Sequence, residues 1–117
     1  MGESPSVPHI ANLFETLTEH AGAEQFIELL ARPGLRIERI VSTGHASPPD
    51  FWYDQPHGEW VVVLQGEARL LLEGESGLRV LRRGDFIDLA PHQRHRVEWT
   101  HPDLATIWLA VHYTGSN

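Results

Sequence analysis

The sequence predicts an all-β fold, in which short antiparallel strands form a barrel or a sandwich. Two features predict this class. Apolar segments that suit single strands recur along most of the chain, and Gly, Pro or Asp residues separate them every eight to twelve residues. The chain has 117 residues, which is the size of one domain that buries a core of its own. We therefore expect a single all-β domain.

The predicted strands follow one another from Ala23 onward. The segments "EQFIELLA" and "LRIERIVSTG" flank "RPG" and predict a hairpin, because Pro fixes φ at one turn position and Gly accepts a positive φ. Six further strands are predicted from "EWVVVLQG", "EARLLLEG", "LRVLRRGD", "FIDLA", "HRVEWT" and "ATIWLAVHY".

The segment before these strands has a different pattern. Asn12 suits the N-cap of a helix, with Glu15 three residues later, and Leu13, Phe14 and Leu17 share one helical face. We therefore expect an N-terminal arm with a short helix over residues 1–22 and a barrel domain over residues 23–117.

Composition excludes several classes of function. The chain has no Cys, so any metal must be held by nitrogen and oxygen ligands. The formal net charge is −7 with nine Lys plus Arg, which argues against a nucleic-acid partner, because such binding needs a concentrated basic surface. No apolar segment approaches the roughly 18 residues of a membrane span, and no signal-peptide pattern is present. We expect a cytoplasmic protein with no membrane partner.

Motifs for phosphate binding and acyl transfer are also missing. "LEGESGLRV" suits a hairpin turn better than a Gly-rich phosphate loop, and no Ser lies in a G-x-S-x-G elbow. The chemistry that remains is metal-dependent chemistry on a small molecule.

Two segments resemble the paired motifs of the cupin superfamily, G-x5-H-x-H-x3,4-E-x6-G and G-x5-P-x-G-x2-H-x3-N. In "GEWVVVLQGEARLLLEG", Glu59 precedes Gly66 by the spacing of the first motif, and in "GDFIDLAPHQRH", Gly84 precedes His95 by that of the second. The resemblance extends from position 36 to position 113. It implies the cupin jelly-roll barrel, a double-stranded β-helix open at one end, with Glu59 and His95 as metal ligands.

The sequence departs from the first motif at its two histidines. With a three-residue spacer before the glutamate, these positions hold Tyr53 and Gln55; with a four-residue spacer, they hold Trp52 and Asp54. Neither alignment provides the His-x-His pair, so the resemblance supplies only part of a ligand set.

Strand alternation indicates how the set could be completed. Alternate side chains of a strand point to the same face, so Gln55, His57 and Glu59 share a face if this stretch is extended. With His95 they offer two imidazoles, one carboxylate and one amide oxygen. Such a set suits a divalent ion such as Fe, Mn, Ni or Zn with a position open for water or substrate.

The orientation of His57 is the open question in this set. It lies between Pro56 and Gly58, where a turn could direct its side chain to solvent or bring Asp54 into the site instead. If His57 faces the site, it is the natural proton carrier, and Tyr53 is a hydrogen-bond donor. These two residues are the candidate catalytic residues.

The sequence also leaves two orientations for the side chain of Arg39. An exposed strand arginine is the commoner outcome, but the side chain could also reach into the barrel and pair with a carboxylate substrate. The segment "EQFIELLA" would leave backbone groups unpaired at a sheet edge, and the resemblance implies that such strands often pair across a dimer, so we expect a homodimer.

The predicted function is that of a metal-binding cupin that binds or acts on a small molecule in the barrel cavity, as a metal-dependent oxygenase, isomerase or related enzyme. The alternative is a non-catalytic small-molecule-binding or sensor cupin without a functional metal. Fold alone does not separate them, because function depends on the site.

Overall fold

The computed structural model describes residues 7–15 and 23–114, which contain eight β-strands. Within these residues there is no helix, and so none that could cross a membrane. The strands are β1 (Gln25–Arg32), β2 (Leu35–Ser42), β3 (Gly58–Gln65), β4 (Glu67–Leu72), β5 (Arg79–Arg82), β6 (Phe86–Leu89), β7 (His95–Thr100) and β8 (Thr106–Tyr113).

The strands form two antiparallel sheets. The larger sheet has the order β1-β2-β8-β3-β6, and the smaller has the order β5-β4-β7. Each predicted strand segment is present, and "RPG" connects β1 to β2 as the predicted hairpin. The all-β jelly-roll prediction is therefore confirmed.

The core lies between the sheets and follows the strand alternation. In β3, Val61 and Val63 are 3% and 0% exposed, whereas the neighbours that point to the other face are partly exposed. Leu70 of β4 and Trp108 of β8 pack in the same apolar cluster. β3 and β8 lie inside the larger sheet and each buries one face against the core, which suits their β-branched residues.

The predicted N-terminal helix is not seen in the described residues. The backbone N–H of Phe14 donates to Asn12 Oδ1 at 2.7 Å, and that of Asn12 donates to Glu15 Oε1 at 3.1 Å, so the reciprocal pair that predicted the helix start is formed. Within the described residues, positions 13–15 form a turn. The rest of the predicted helix, and the boundary at residue 22, lie outside the described residues.

The connection from β2 to β3 extends the smaller sheet. The backbone N–H of Tyr53 donates to the His95 carbonyl at 2.8 Å, and the N–H of His95 donates back at 3.2 Å. The N–H of Ser47 donates to the Val97 carbonyl at 2.8 Å. This connection therefore runs along β7, the edge strand of the smaller sheet, and brings Tyr53 beside His95.

Candidate functional site

A cavity of about 80 Å³ lies between the two sheets. Its apolar wall includes Val61, Leu70, Leu89 and Trp108, which are core residues. Its polar wall includes four residues that the sequence singled out, namely Tyr53, Gln55, Glu59 and His95. The cavity is therefore the candidate functional site.

Glu59 is a buried carboxylate that faces this cavity. It precedes Val61 and Val63 on the inward face of β3 and is 9% exposed. Burial raises its pKa, while the imidazoles of His112 and His95 act in the opposite direction. Its Oε1 atom lies 3.8 Å from His95 Nε2, which exceeds a hydrogen-bond distance.

His95 begins β7 and directs one ring nitrogen at the cavity. Its Nδ1 lies 2.9 Å from the carbonyl oxygen of Gln93. Since a carbonyl oxygen accepts, Nδ1 carries the proton, and in the neutral ring Nε2 keeps a lone pair. The Tyr53 ring stacks on the imidazole with centroids 5.3 Å apart and planes at 20°. This contact and the backbone bridge fix the orientation of the ring.

Gln55 reaches the cavity because a neighbouring turn holds its segment. The N–H of His92 donates to the Gln55 carbonyl at 2.7 Å, and His92 Nδ1 lies 2.9 Å from Asp54 Oδ1. His92 has a φ of 64°, at the turn position after Pro91 where Gly is usual. Asp54 is exposed and engaged with His92, so it does not replace Gln55 in the cavity.

His57 lies outside the cavity. The chain bends at Pro56 and His57 before β3 begins, so the stretch from Gln55 to Glu59 is not extended and its alternation is lost. His57 instead lines a separate surface depression with Arg36 and Tyr113. The prediction that His57 is a metal ligand or proton carrier assumed that it points to the same side as Glu59, and it does not line the cavity.

Three further polar residues line the cavity, and the sequence reasoning missed them. They are Glu24, Glu38 and His112. Alternation along β2 places Glu38 and Ile40 on one face, and extending the alternation argument to this strand would have found Glu38.

Hydrogen bonds hold the three additional residues in place. His112 Nε2 lies 2.9 Å from Glu38 Oε1, and its Nδ1 lies 3.0 Å from His57 Nε2. A carboxylate accepts, so His112 Nε2 donates to Glu38 and Nδ1 accepts from His57. Glu24 accepts a short hydrogen bond from the Ser42 hydroxyl.

Arg39 is neither exposed nor in the cavity, so both expectations for it are wrong. It is 4% exposed, and its Nη1 donates to the carbonyl oxygens of Leu13 at 3.0 Å and Glu15 at 2.8 Å. Alternation explains this, because Arg39 follows cavity-lining Glu38 and must point to the opposite face of β2. There the guanidinium holds the N-terminal segment against the sheet.

The second imidazole of the predicted metal set, that of His57, lies outside the cavity, and the ring nitrogens of the other lining histidine, His112, are both in hydrogen bonds. Gln55, Glu59 and His95 bring one amide, one carboxylate and one imidazole together. Among residues 7–15 and 23–114 there is no group of three or more His, Asp or Glu placed to hold an ion. The donors thus do not fit the expected centre of two imidazoles and one carboxylate, because His57 turns away.

The side chains around the cavity can form hydrogen bonds and exchange protons with a bound molecule. Glu59 and His95 present a carboxyl group and an imidazole lone pair to the same small space, and Tyr53 adds a phenol. Such groups donate and accept hydrogen bonds and exchange protons with a bound molecule. The size of the cavity limits that molecule to a few non-hydrogen atoms.

Fold and site together define a class of protein, a jelly-roll barrel with a polar cavity between its two sheets. Residues 39–112 match the family model described as a cupin domain. The chain belongs to the cupin superfamily. No curated protein matches it.

Several solved structures are similar to this chain. A candidate mannose-6-phosphate isomerase from Ralstonia eutropha JMP134 is 49% identical, covers 92% of this chain and 100% of its own, and superposes with a TM-score of 0.89. A cupin superfamily protein from Desulfitobacterium hafniense DCB-2 is 13% identical, with coverage of 85% and 84% and a TM-score of 0.70. A conserved protein of unknown function from Streptococcus pyogenes is 16% identical, with coverage of 99% and 98% and a TM-score of 0.70. The last two show the fold alone.

Proposed function

We propose that this cupin binds a small molecule in the barrel cavity, with Glu59 and His95 as its principal polar partners. The observation that carries the proposal is the buried Glu59 carboxylate, which faces the cavity without a hydrogen bond from any described residue. Burial disfavours the charged form of a carboxylate and raises the pKa of Glu59, which costs free energy in the folded state. A protein tolerates that cost where a ligand supplies the missing partner.

A comparison of matched variants tests this proposal. Binding of a mixed fragment set is measured by ligand-observed NMR for the unmodified protein, Glu59→Gln and Glu75→Gln. Glu75 is the control, because it is an exposed turn glutamate paired with Arg79 and lines no part of the cavity. We expect Glu59→Gln to weaken binding by tenfold or more and Glu75→Gln to leave it unchanged. Equal binding by all three proteins would contradict the proposal.

Isomerisation is the reaction class that we propose for the bound molecule. It is supported by the relative at 49% identity, which carries the name of an isomerase. It is also supported by the proton-exchanging groups Glu59, His95 and Tyr53 around one cavity.

A divalent metal ion is the second candidate for this cavity. Glu59 and His95, whose Oε1 and Nε2 atoms are 3.8 Å apart, would hold such an ion, with Gln55 in the same space. A bound ion would act as a Lewis acid on a ligand oxygen. Since the set has one imidazole, we expect weaker retention than by a two-imidazole centre.

Elemental mass spectrometry tests the metal proposal. Protein purified without chelator is dialysed against Fe(II), Mn, Ni or Zn, beside Glu59→Ala and His95→Ala. Metal taken up by the unmodified protein and lost in both variants would support these ligands. Absence of uptake at millimolar metal would reject them.

We also propose a homodimer formed through β1. This strand is at the edge of the larger sheet, and Phe26, Ile27 and Leu29 are 53%, 40% and 44% exposed. An apolar edge strand favours addition of another strand, and a second copy supplies an identical edge across a twofold axis. Because Phe26 also lines the cavity, such pairing would cover one wall of the site.

A further inference from the structure

The charged side chains that line the cavity carry one sign. Among the described lining residues, Glu24, Glu38 and Glu59 are the three carboxylates, contributed by the start of the barrel, β2 and β3. No Arg is among the described lining residues, and the whole chain contains no Lys. The cavity therefore has an excess of negative charge.

Among the described residues, two of the three carboxylates have no fully charged partner. Glu38 accepts a hydrogen bond from His112 and lies 3.6 Å from a nitrogen of Arg36. Glu24 has a hydroxyl partner, Ser42, which donates a hydrogen bond without neutralising the charge. Glu59 has no hydrogen bond from the described residues and is nine-tenths buried. A carboxylate in this state is stabilised by a cation that enters the cavity.

The pKa of Tyr53 indicates that the electrostatic fields of the three carboxylates reach the same part of the cavity. Its pKa is raised first by burial and then by Glu24, Glu59 and Glu38, in that order. Their fields therefore overlap at the phenol, which lies on the cavity wall.

Aromatic surface adds to this preference. Tyr53 and Trp108 both line the cavity, and aromatic rings attract ammonium groups at their faces. The cavity of about 80 Å³ has room for about two or three water molecules, since one water takes roughly 30 Å³ in the liquid. A small organic ion therefore fits, and a larger sugar phosphate does not fit without rearrangement.

We propose that the cavity selects a small organic cation, an ammonium compound of a few non-hydrogen atoms, over neutral and anionic molecules of the same size. This inference rests on the proposed function, because it concerns the ligand of the same site. The proposed ligand differs from the sugar phosphate in the isomerase relative's name. A phosphate dianion would meet three carboxylates and no Arg among the described lining residues.

A charge series of constant size tests the inference. Butylammonium, 1-butanol and butyrate are titrated at pH 7.5 and constant ionic strength into labelled protein, followed by amide chemical shifts; mannose 6-phosphate is a fourth probe. We expect shifts around Tyr53, Glu59 and His95 with butylammonium, with an affinity at least tenfold higher than for 1-butanol and no binding of the two anions. Glu24→Gln and Glu59→Gln should each weaken butylammonium binding by tenfold or more, whereas Glu75→Gln should not.

Other outcomes overturn the inference. If 1-butanol, butyrate or mannose 6-phosphate binds in the cavity as tightly as butylammonium, the charge preference is wrong while the small-molecule site stands. If butylammonium does not bind at 50 mM, the charge preference is wrong as well, and the fragment comparison of Glu59→Gln with Glu75→Gln decides the site independently. If both Gln variants bind butylammonium with unchanged affinity, the carboxylates do not select the ligand.

Discussion

Glu59 is a residue that lowers the stability of the barrel and places a polar group in its cavity. Its neighbours on the inward face of β3 are Val61 and Val63, so an apolar residue at this position would extend the core. The carboxylate instead faces a cavity, where its charged form has lost water without gaining a hydrogen bond from the described residues. Functional sites commonly carry such a cost.

We predict that Glu59→Gln stabilises the protein near neutral pH. Burial raises the pKa of Glu59 above its ordinary value of 4.5, so the folded state binds this proton more tightly than the unfolded chain. The free energy of unfolding therefore falls as pH rises from about 4.5 through the raised pKa. Gln has the same shape and no such loss, so we expect the melting temperature to rise by about 2–6 °C at pH 7.5.

The pH series distinguishes this cause from better packing. Calorimetry of both proteins between pH 4 and pH 8 should give a difference that is largest at pH 7.5 and disappears towards pH 4. A difference that does not change with pH would show that ionisation of Glu59 is not its origin.

We predict a pH effect of opposite sign at His57. Burial, followed by His112 and Arg36, lowers the pKa of His57 below 6.5. The unfolded chain therefore takes up this proton at a higher pH than the folded protein does. The stability that neutral His57 contributes is complete above pH 6.5 and is lost as pH falls through the lowered pKa.

Replacement of His57 by Asn isolates this contribution. At pH 7.5 we expect the variant to lose about 0.5–1 kcal/mol, because the hydrogen bond to His112 is lost at a partly exposed position. By pH 5 the loss should be smaller, as urea unfolding of both proteins at each pH will measure. An equal loss at both pH values would refute a titrating role for His57.

At the scale of elements, the turn between β3 and β4 depends on Gly66. Its φ is +90°, and a Cβ atom would lie 2.5 Å from Thr106 Oγ1 and 2.7 Å from Thr106 Cα. The same threonine hydroxyl accepts a hydrogen bond from the Glu67 N–H at 3.2 Å. The turn thus packs directly on the start of β8, and the close approach requires Gly.

We predict that Gly66→Ala costs at least about 3 kcal/mol of unfolding free energy, because it adds a steric clash to backbone strain. Gly74→Ala is the matched control. Gly74 has a φ of +93° but no atom within 4 Å of an added Cβ, so this variant should lose only about 1–2 kcal/mol from strain. Equal losses in urea unfolding would mean that the contact with Thr106 relaxes at no cost.

At the scale of the whole molecule, the proposed dimer makes a clear prediction. Leu29→Glu adds a charge to the exposed surface of β1 and should convert a dimer to a monomer in sedimentation velocity at micromolar concentration. Leu78→Glu is the control, because Leu78 is similarly exposed at 46% but lies between β4 and β5. A monomer already in the unmodified protein would remove the dimer proposal.

Part of the site is readable from the sequence because it depends on local spacing. Glu59 and His95 follow from the motif resemblance, and both line one cavity in the structure. Gln55 reaches the same cavity, although not by the extended strand that predicted it, because the chain bends at Pro56. The same bend explains why His57 does not share the face of Glu59, since one bend changes the face to which a side chain points.

By itself, the sequence determined the all-β class, the eight strand segments and membership of the cupin superfamily, because alternation, turn residues and motif spacing are local properties of the chain. Only the tertiary structure decided which charges share the cavity. Glu24, Glu38 and His112 reach it from three separate parts of the chain, and Arg39 turns away from it. Strand order and register bring such distant residues together, and neither can be predicted from the sequence of a single segment.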